Sequence, residues 1–307
     1  MESGLNRGNE ARVPERSVRH HFIDIDGNRT FYREAGPLDG PVVLLPHGYP
    51  CSSFEFRNLM PKLADHWRLL APDFPEFGYS DTPGRASFAY TFDGYAAFLD
   101  RFVEKMGASR FVLYLHDYGS WIGLRLAMRR PERVAALVIQ NGDIYEDQFG
   151  PRYEALKAFA ADPTPERRQQ LAQTVSEEGF RDEFLNDVRP ELAMRISPDL
   201  WQLAWSQLNQ PARREIMVGL MDEWRENLCW FPRYQTYLRE HRPPTLIAWG
   251  PQDGYMPEGA ARAYLRDLPD AELHLLDGGH WLLETNLDEV AAIARDFLER
   301  NYDGERI

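Results

Sequence analysis

What most constrains this chain is a set of short apolar runs, each too short for a helix, set between longer stretches of helical periodicity. The runs are VVLL at 42–45, RLLAP at 68–72, FVLYL at 111–115, VAALVI at 134–139, TLIAW at 245–249 and ELHLL at 272–276. Several are rich in Val, Ile and Leu, as strands buried on both faces should be. Their alternation with helical patterns predicts a mostly parallel sheet with crossover helices. Helical spacing is found at 92–107, ending on Gly107, at 120–130, stopped by Pro131, and at 288–301. Two earlier segments, HHFIDI and RTFYREA, flank Asp26-Gly27-Asn28-Arg29 and predict an antiparallel hairpin at the sheet edge.

Residues 144–240 break this alternation. They contain no buried-strand run but carry Trp201, Trp205, Trp224 and Trp230 among charged helical stretches, and the strand pattern resumes only at Pro244. The simplest division is a flexible arm over 1–18, an α/β core over 19–143 plus 241–307, and a helical cap over 144–240. Such an insertion would sit over the carboxyl edge of the sheet, where open α/β sheets bind ligands. Its aromatic residues are expected to roof an apolar pocket suited to a small apolar organic substrate.

The net charge of −13 argues against nucleic acid and anionic membrane as partners. No apolar run approaches the roughly 18 residues of a membrane span, and the polar N-terminus lacks a signal peptide's apolar stretch, so a cytoplasmic location is expected. Cys51 and Cys229 form neither a disulfide framework nor a metal-ligand spacing, so no metal site is expected. The sequence does not fix the oligomeric state, and a homodimer is compatible with it.

The candidate chemistry begins where the run FVLYL meets His116-Asp117-Tyr118-Gly119 and a helix follows at once. A strand-to-helix turn this sharp pushes one side chain out at the top of the sheet and needs small neighbours. Gly119 supplies one; Leu115 occupies the other such position. Asp117 is therefore the candidate nucleophile, with the helix N-terminus behind it favouring an anion. Taken alone, Asp117 could equally be a helix N-cap. Ser80 is not followed by a helix, and Ser120 lies inside one, so neither serine sits at such a turn.

Three further elements accompany it. His280, in Gly278-Gly279-His280-Trp281, follows the last strand run on a loop that two glycines leave free to place an imidazole. Asp253 follows TLIAW and can fix that histidine's tautomer, although Asp253-Gly254 is also a strong turn dipeptide. His47-Gly48-Tyr49-Pro50 follows VVLL, where the Tyr49 N–H can join that of Tyr118 in holding an oxyanion. His47, His116, Tyr145, Tyr153 and Trp281 are the substrate-binding candidates.

In this order the four elements resemble the α/β-hydrolase superfamily over nearly the whole chain, and Asp73-Phe74-Pro75-Glu76-Phe77-Gly78-Tyr79-Ser80-Asp81 looks like its D-x-P-G-x-G-x-S-D segment, with Glu76 in place of a glycine. His-Asp-aromatic-Gly is similar to the turn of the aspartate-nucleophile branch, the epoxide hydrolases and haloalkane dehalogenases. His-Gly-aromatic-Pro looks like epoxide hydrolases. Leu115 looks more like dehalogenases, which usually carry Trp where this chain has Tyr118.

The resemblance implies an α/β-hydrolase fold and a reaction without cofactor. Asp117 would form an alkyl ester, and a water activated by His280 and Asp253 would hydrolyse it. Because that water step needs a neutral histidine, activity should fall in acid. An epoxide hydrolase is the first reading, a haloalkane or haloacid dehalogenase the second, and a non-catalytic ligand receptor on the same scaffold the third. Epoxide hydrolases use two cap tyrosines to protonate the ring oxygen; the insertion offers Tyr145, Tyr153, Tyr234 and Tyr237, of which Tyr153 is favoured because it lies early in the cap.

Overall fold

The computed structural model describes residues 16–302 apart from Asn186. Most of the 1–18 arm lies outside the described residues. Eight strands form one sheet: β1 (Arg19–Ile25), β2 (Asn28–Ala35), β3 (Val42–Leu44), β4 (Arg68–Pro72), β5 (Phe111–His116), β6 (Val134–Gln140), β7 (Thr245–Trp249) and β8 (Glu272–Leu275). Their spatial order is β1-β2-β4-β3-β5-β6-β7-β8. The first three in that order pair antiparallel and the rest pair parallel. The edge hairpin turns on Asp26 and Gly27, both at positive φ, a backbone that suits the right-handed twist of the flanking strands.

The central strands are buried on both faces, and alternate residues serve two separate cores. In β5, Phe111, Leu113 and Leu115 enter one core while Val112 and Tyr114 enter the other. The second core is closed by the Leu287–Asn301 helix through Val290, Ala294, Phe297 and Leu298. The first core also takes in Phe159, Phe180, Trp224 and Tyr234 from between β6 and β7, so that segment packs on the same side of the sheet as the start of the Tyr118–Arg129 helix.

Among the described residues the stretch between β6 and β7 consists of helices joined by loops, with no strand. Pro165, Pro190 and Pro211 each sit at a helix start, where the missing N–H costs nothing. Buried arginines fasten this insertion to the core. Arg213 donates to the carbonyls of Gly78 and Ser80 at 3.0 and 2.7 Å, and Arg125 to the Tyr234 hydroxyl and Asn227 Oδ1 at 2.8 and 2.9 Å. At its start, the backbone N–H groups of Gly150 and Arg152 donate to the carbonyls of Tyr255 and Gly254 at 2.7 and 3.1 Å. Among the described residues no helix is long and apolar enough to cross a membrane.

Candidate active site

Strand β5 ends at His116, and Asp117 turns the chain into the Tyr118–Arg129 helix with φ 48° and ψ −130°. A positive φ on a non-glycine residue costs roughly 1–3 kcal/mol and persists only where its surroundings enforce it. Here the surroundings are backbone. A Cβ on Gly119 would lie 2.1 Å from the Pro46 carbonyl oxygen, and one on Gly48 would lie 2.5 Å from Asp117 Cβ. Leu115 is tolerated because the space it fills is left by Gly123, where a Cβ would lie 2.3 Å from Leu115 Cδ2. Gly123 on the facing helix thus gives the room that a small residue at position 115 would have given, in effect an exchange of small residues.

The Asp117 side chain makes no capping bond to its helix, which removes the N-cap alternative. Its Oδ1 instead accepts the Tyr49 N–H at 2.6 Å, and its Oδ2 lies 3.5 Å from His280 Nε2. Of the two amides expected to hold an oxyanion, Tyr49's is already on the carboxylate, and Tyr118's has no hydrogen bond to it among the described residues.

His280 Nδ1 is 2.7 Å from Asp253 Oδ2. Asp253 is fixed in turn by Asn141 Nδ2 at 2.9 Å on Oδ2, and by the N–H groups of Tyr255 and Met256 at 2.9 and 3.1 Å on Oδ1. It thus forms its turn and orients the histidine at once. Asn141 also exchanges bonds with the Gly250 backbone, at 3.0 Å to its carbonyl and 2.9 Å from its N–H. Burial by itself would lower the pKa of His280, but Asp253 and Asp117 outweigh it and hold the imidazole well above the usual histidine value. The two neighbouring carboxyl groups thus favour the protonated form of the His280 ring in the resting site. Burial would likewise raise Asp253, and the charge and hydrogen bond of His280 reverse that and keep it ionised.

Above Asp117 lies a cavity of about 210 Å³. Tyr49, Tyr118, His280, Trp281 and Tyr255 line it from the core, and Tyr153, Leu156, Glu183, Met221 and Trp224 from the insertion. Of the expected substrate-binding residues, Tyr153 and Trp281 reach this wall. The Tyr153 hydroxyl is 3.3 Å from Asp143 Oδ1, and Trp281 Nε1 donates to the Glu183 carbonyl at 3.2 Å.

The other three candidates lie elsewhere. Tyr145 donates to Asp267 at 2.7 Å and packs edge-on against Tyr264, because that carboxylate of the core satisfies its hydroxyl. His47 is buried beneath the turn, where its Nε2 accepts the Phe74 N–H at 3.1 Å. His116 lies 3.1 Å from the His280 carbonyl oxygen and 3.4 Å from Glu55, so it supports the histidine loop from below. Tyr234 is taken by Arg125 and Asn227, and Tyr237 stacks on His241. Ser80 is bonded to the Asp73 carbonyl, and Ser120 is buried against Gly142.

Sequence reasoning missed Asn141, Arg152, Glu183 and Tyr255. Glu183 had a legible signal: with Phe180 and Phe184 it stands at i, i+3 and i+4 on the face that the Glu177–Leu185 helix buries. Its Oε1 accepts the Tyr255 hydroxyl at 2.7 Å. Burial pushes its carboxyl up to about 7, against the opposing pull of Tyr255 and Arg152.

Comparison with known proteins agrees with this architecture. The chain is 32% identical over 292 residues to the uncharacterized hydrolase YNR064C of Saccharomyces cerevisiae, covering 92% of this chain and 96% of that one. It is 28% identical over 300 residues to a haloalkane dehalogenase of Mesorhizobium japonicum, covering 94% and 92%. The crystal structure of a loop variant of haloalkane dehalogenase DbeA from Bradyrhizobium elkanii superposes with a TM-score of 0.77 at 22% identity, over 92% of this chain and 97% of that one. The family model for the alpha/beta hydrolase fold matches residues 41–287, and with the eight-stranded sheet and its strand-to-helix turn this makes the chain a member of the α/β-hydrolase family.

Proposed function

We propose that this hydrolase is an epoxide hydrolase that works through a covalent ester on Asp117. Asp117 attacks a ring carbon while the ring oxygen takes up a proton, leaving a hydroxyalkyl ester. His280 then removes a proton from water as that water attacks the Asp117 carboxyl carbon. The tetrahedral oxyanion rests on the Tyr49 N–H already directed at Oδ1, with the Tyr118 N–H as the second donor. Collapse releases the diol and regenerates the carboxylate.

Esterification also supplies the switch between the two steps. It removes the Asp117 charge that helps hold His280 protonated, so the imidazolium becomes a base once it is needed as one.

The observation that carries the epoxide reading is the polar lining of the cavity. It consists mainly of O–H acids and a protonatable carboxyl, namely Tyr49, Tyr118, Tyr153, Tyr255 and Glu183. A ring oxygen needs a proton as it leaves, whereas a halide needs only donors around it. The runner-up is dehalogenation of a haloalkane. It is favoured by Trp224, a cavity-lining indole whose buried Nε1 lacks a hydrogen-bond partner among the described residues, and by relatives named as haloalkane dehalogenases. A receptor without turnover, the third reading, would leave the alignment of Asp117, His280 and Asp253 without a use.

The test is a panel of epoxides and haloalkanes, scored for diol and for halide, with His280→Gln run beside the wild type. His280→Gln is expected to stop after the first step and to gain the mass of one substrate on Asp117. Halide release without diol formation would favour the runner-up, and an adduct on a serine would refute the aspartyl ester.

A further inference from the structure

An opening ring needs an acid, and the candidate donors on the cavity wall are not equivalent. Tyr153 is committed to Asp143 at 3.3 Å. Tyr49 and Tyr118 face the cavity, but burial and the nearby Asp117 and Glu183 carboxyls make both hydroxyls weaker acids than free tyrosine. His280 is the base of the second step. Glu183 differs from all of these. It enters from the Glu177–Leu185 helix of the insertion, its backbone carbonyl is held by Trp281 Nε1 at 3.2 Å, and its Oε1 is held by the Tyr255 hydroxyl at 2.7 Å. Its Oε2 has no hydrogen-bond partner among the described residues. Glu183 shares a cavity of about 210 Å³ with Asp117, so a substrate filling that space meets both carboxyls.

We propose, resting on the epoxide reading above, that Glu183 is the catalytic acid of ring opening and donates its proton to the leaving oxygen. Asp117 Oδ forms the bond to the ring carbon, the carbon–oxygen bond breaks, and the oxygen takes the proton of Glu183, which becomes a carboxylate. The ester removes the charge that favours the proton on His280, which gives that proton up to the Glu183 carboxylate and restores the acid; water then gives its hydroxyl to the Asp117 carboxyl carbon and a proton to the neutral His280, which passes it to the departing alkoxide. The proton then lost by the regenerated Asp117 carboxyl restores the imidazolium of His280. The sum is epoxide plus water to diol.

The surroundings of Glu183 set its protonation. Burial raises its pKa, as does Asp117; Tyr255, Arg152 and His280 lower it, and the balance lies at about 7. Arg152 is itself drawn away by Asp182 and by Asp187, the latter at 3.3 Å. A protonated carboxyl is thus available at and below neutral pH, and ring opening is expected to slow as pH rises through about 7. Ester hydrolysis runs in the opposite sense, because it needs neutral His280.

The experiment is single-turnover alkylation in the His280→Gln background, which removes the imidazolium as a rival proton source. The probe is whichever epoxide of an aliphatic and aryl panel the wild type turns over. Glu183→Gln keeps the acceptor for Tyr255 and is expected to slow adduct formation about 100-fold or more and to abolish its decline above neutrality. Tyr255→Phe removes a bond that favours the carboxylate, so that decline is expected to move to higher pH; this variant serves if Glu183→Gln does not fold. Unchanged alkylation rate and pH profile in Glu183→Gln, or an unmoved profile in Tyr255→Phe, overturns the proposal alone. A wild type that turns over no epoxide overturns the underlying reading and the proposal together.

Discussion

Replacing Asp117 by Asn reproduces in the resting protein the charge change that the proposed esterification would make, so it isolates the switch in His280. In the wild type the imidazolium Nε2 lies 3.5 Å from Asp117 Oδ2. Two unit charges at that distance interact by about 5 kcal/mol at an effective dielectric of about 20. That is large against the roughly 1.4 kcal/mol that moves a titration by one pH unit. The Asn amide keeps a dipole toward the ring, and Asp253 still holds Nδ1 at 2.7 Å. The His280 titration midpoint is therefore expected to fall in Asp117→Asn. The assay is a pH titration of the His280 ring carbon by NMR, assigned with His280→Gln. The sign also bears on stability. A raised folded pKa contributes stability that is complete below the unfolded value of about 6.5 and is lost as pH climbs through the folded one. The share due to the Asp117 pair is expected to shrink over the same window. If the two midpoints agree within about half a pH unit, Asp117 does not hold the proton on His280 and esterification cannot release it.

Two further changes test the framework. Asn141→Ala removes one buried donor from Asp253 and both bonds to the Gly250 backbone; it is expected to cost about 2–4 kcal/mol in denaturant unfolding and to slow ester hydrolysis far more than alkylation in single-turnover kinetics. Gly123→Ala drives a Cβ into Leu115 and is expected to cost about 1–3 kcal/mol; Leu115→Ala in the same chain should recover part of that loss, and a double-mutant cycle with strictly additive costs would dismiss the exchange of small residues.

The sheet was legible because the central parallel strands are buried on both faces. Val112 and Tyr114 turn to one core while Leu113 and Leu115 turn to the other, so the whole run is apolar and stands out. Asp117, His280 and Asp253 were legible because each follows a strand run at a turn rich in glycine or in small polar residues. Glu183 was obscured by its setting, since EEGFRDEFL reads as a solvated helix and only the flanking pair Phe180 and Phe184 marks the buried face. Asn141 and Tyr255 act through bonds to backbone and side chains distant in sequence, which no local pattern encodes. Tyr145 shows the reverse error: it is a polar aromatic in a plausible position whose hydroxyl is satisfied by Asp267, more than a hundred residues away. Leu115 looked like an imperfection in the turn because its partner, Gly123, lies beyond the turn inside the following helix and was not weighed with it.

The backbone bonds from Gly150 and Arg152 to Tyr255 and Gly254 join the first turn of the insertion to the loop that begins at Asp253. An outward swing of the roof would pull on the segment that seats the histidine's partner. The start of the insertion and the loop that seats His280's partner thus belong to one mechanical unit. A molecule caught with its roof displaced would also have a slackened His280, which discourages water activation while the chamber stands open to solvent.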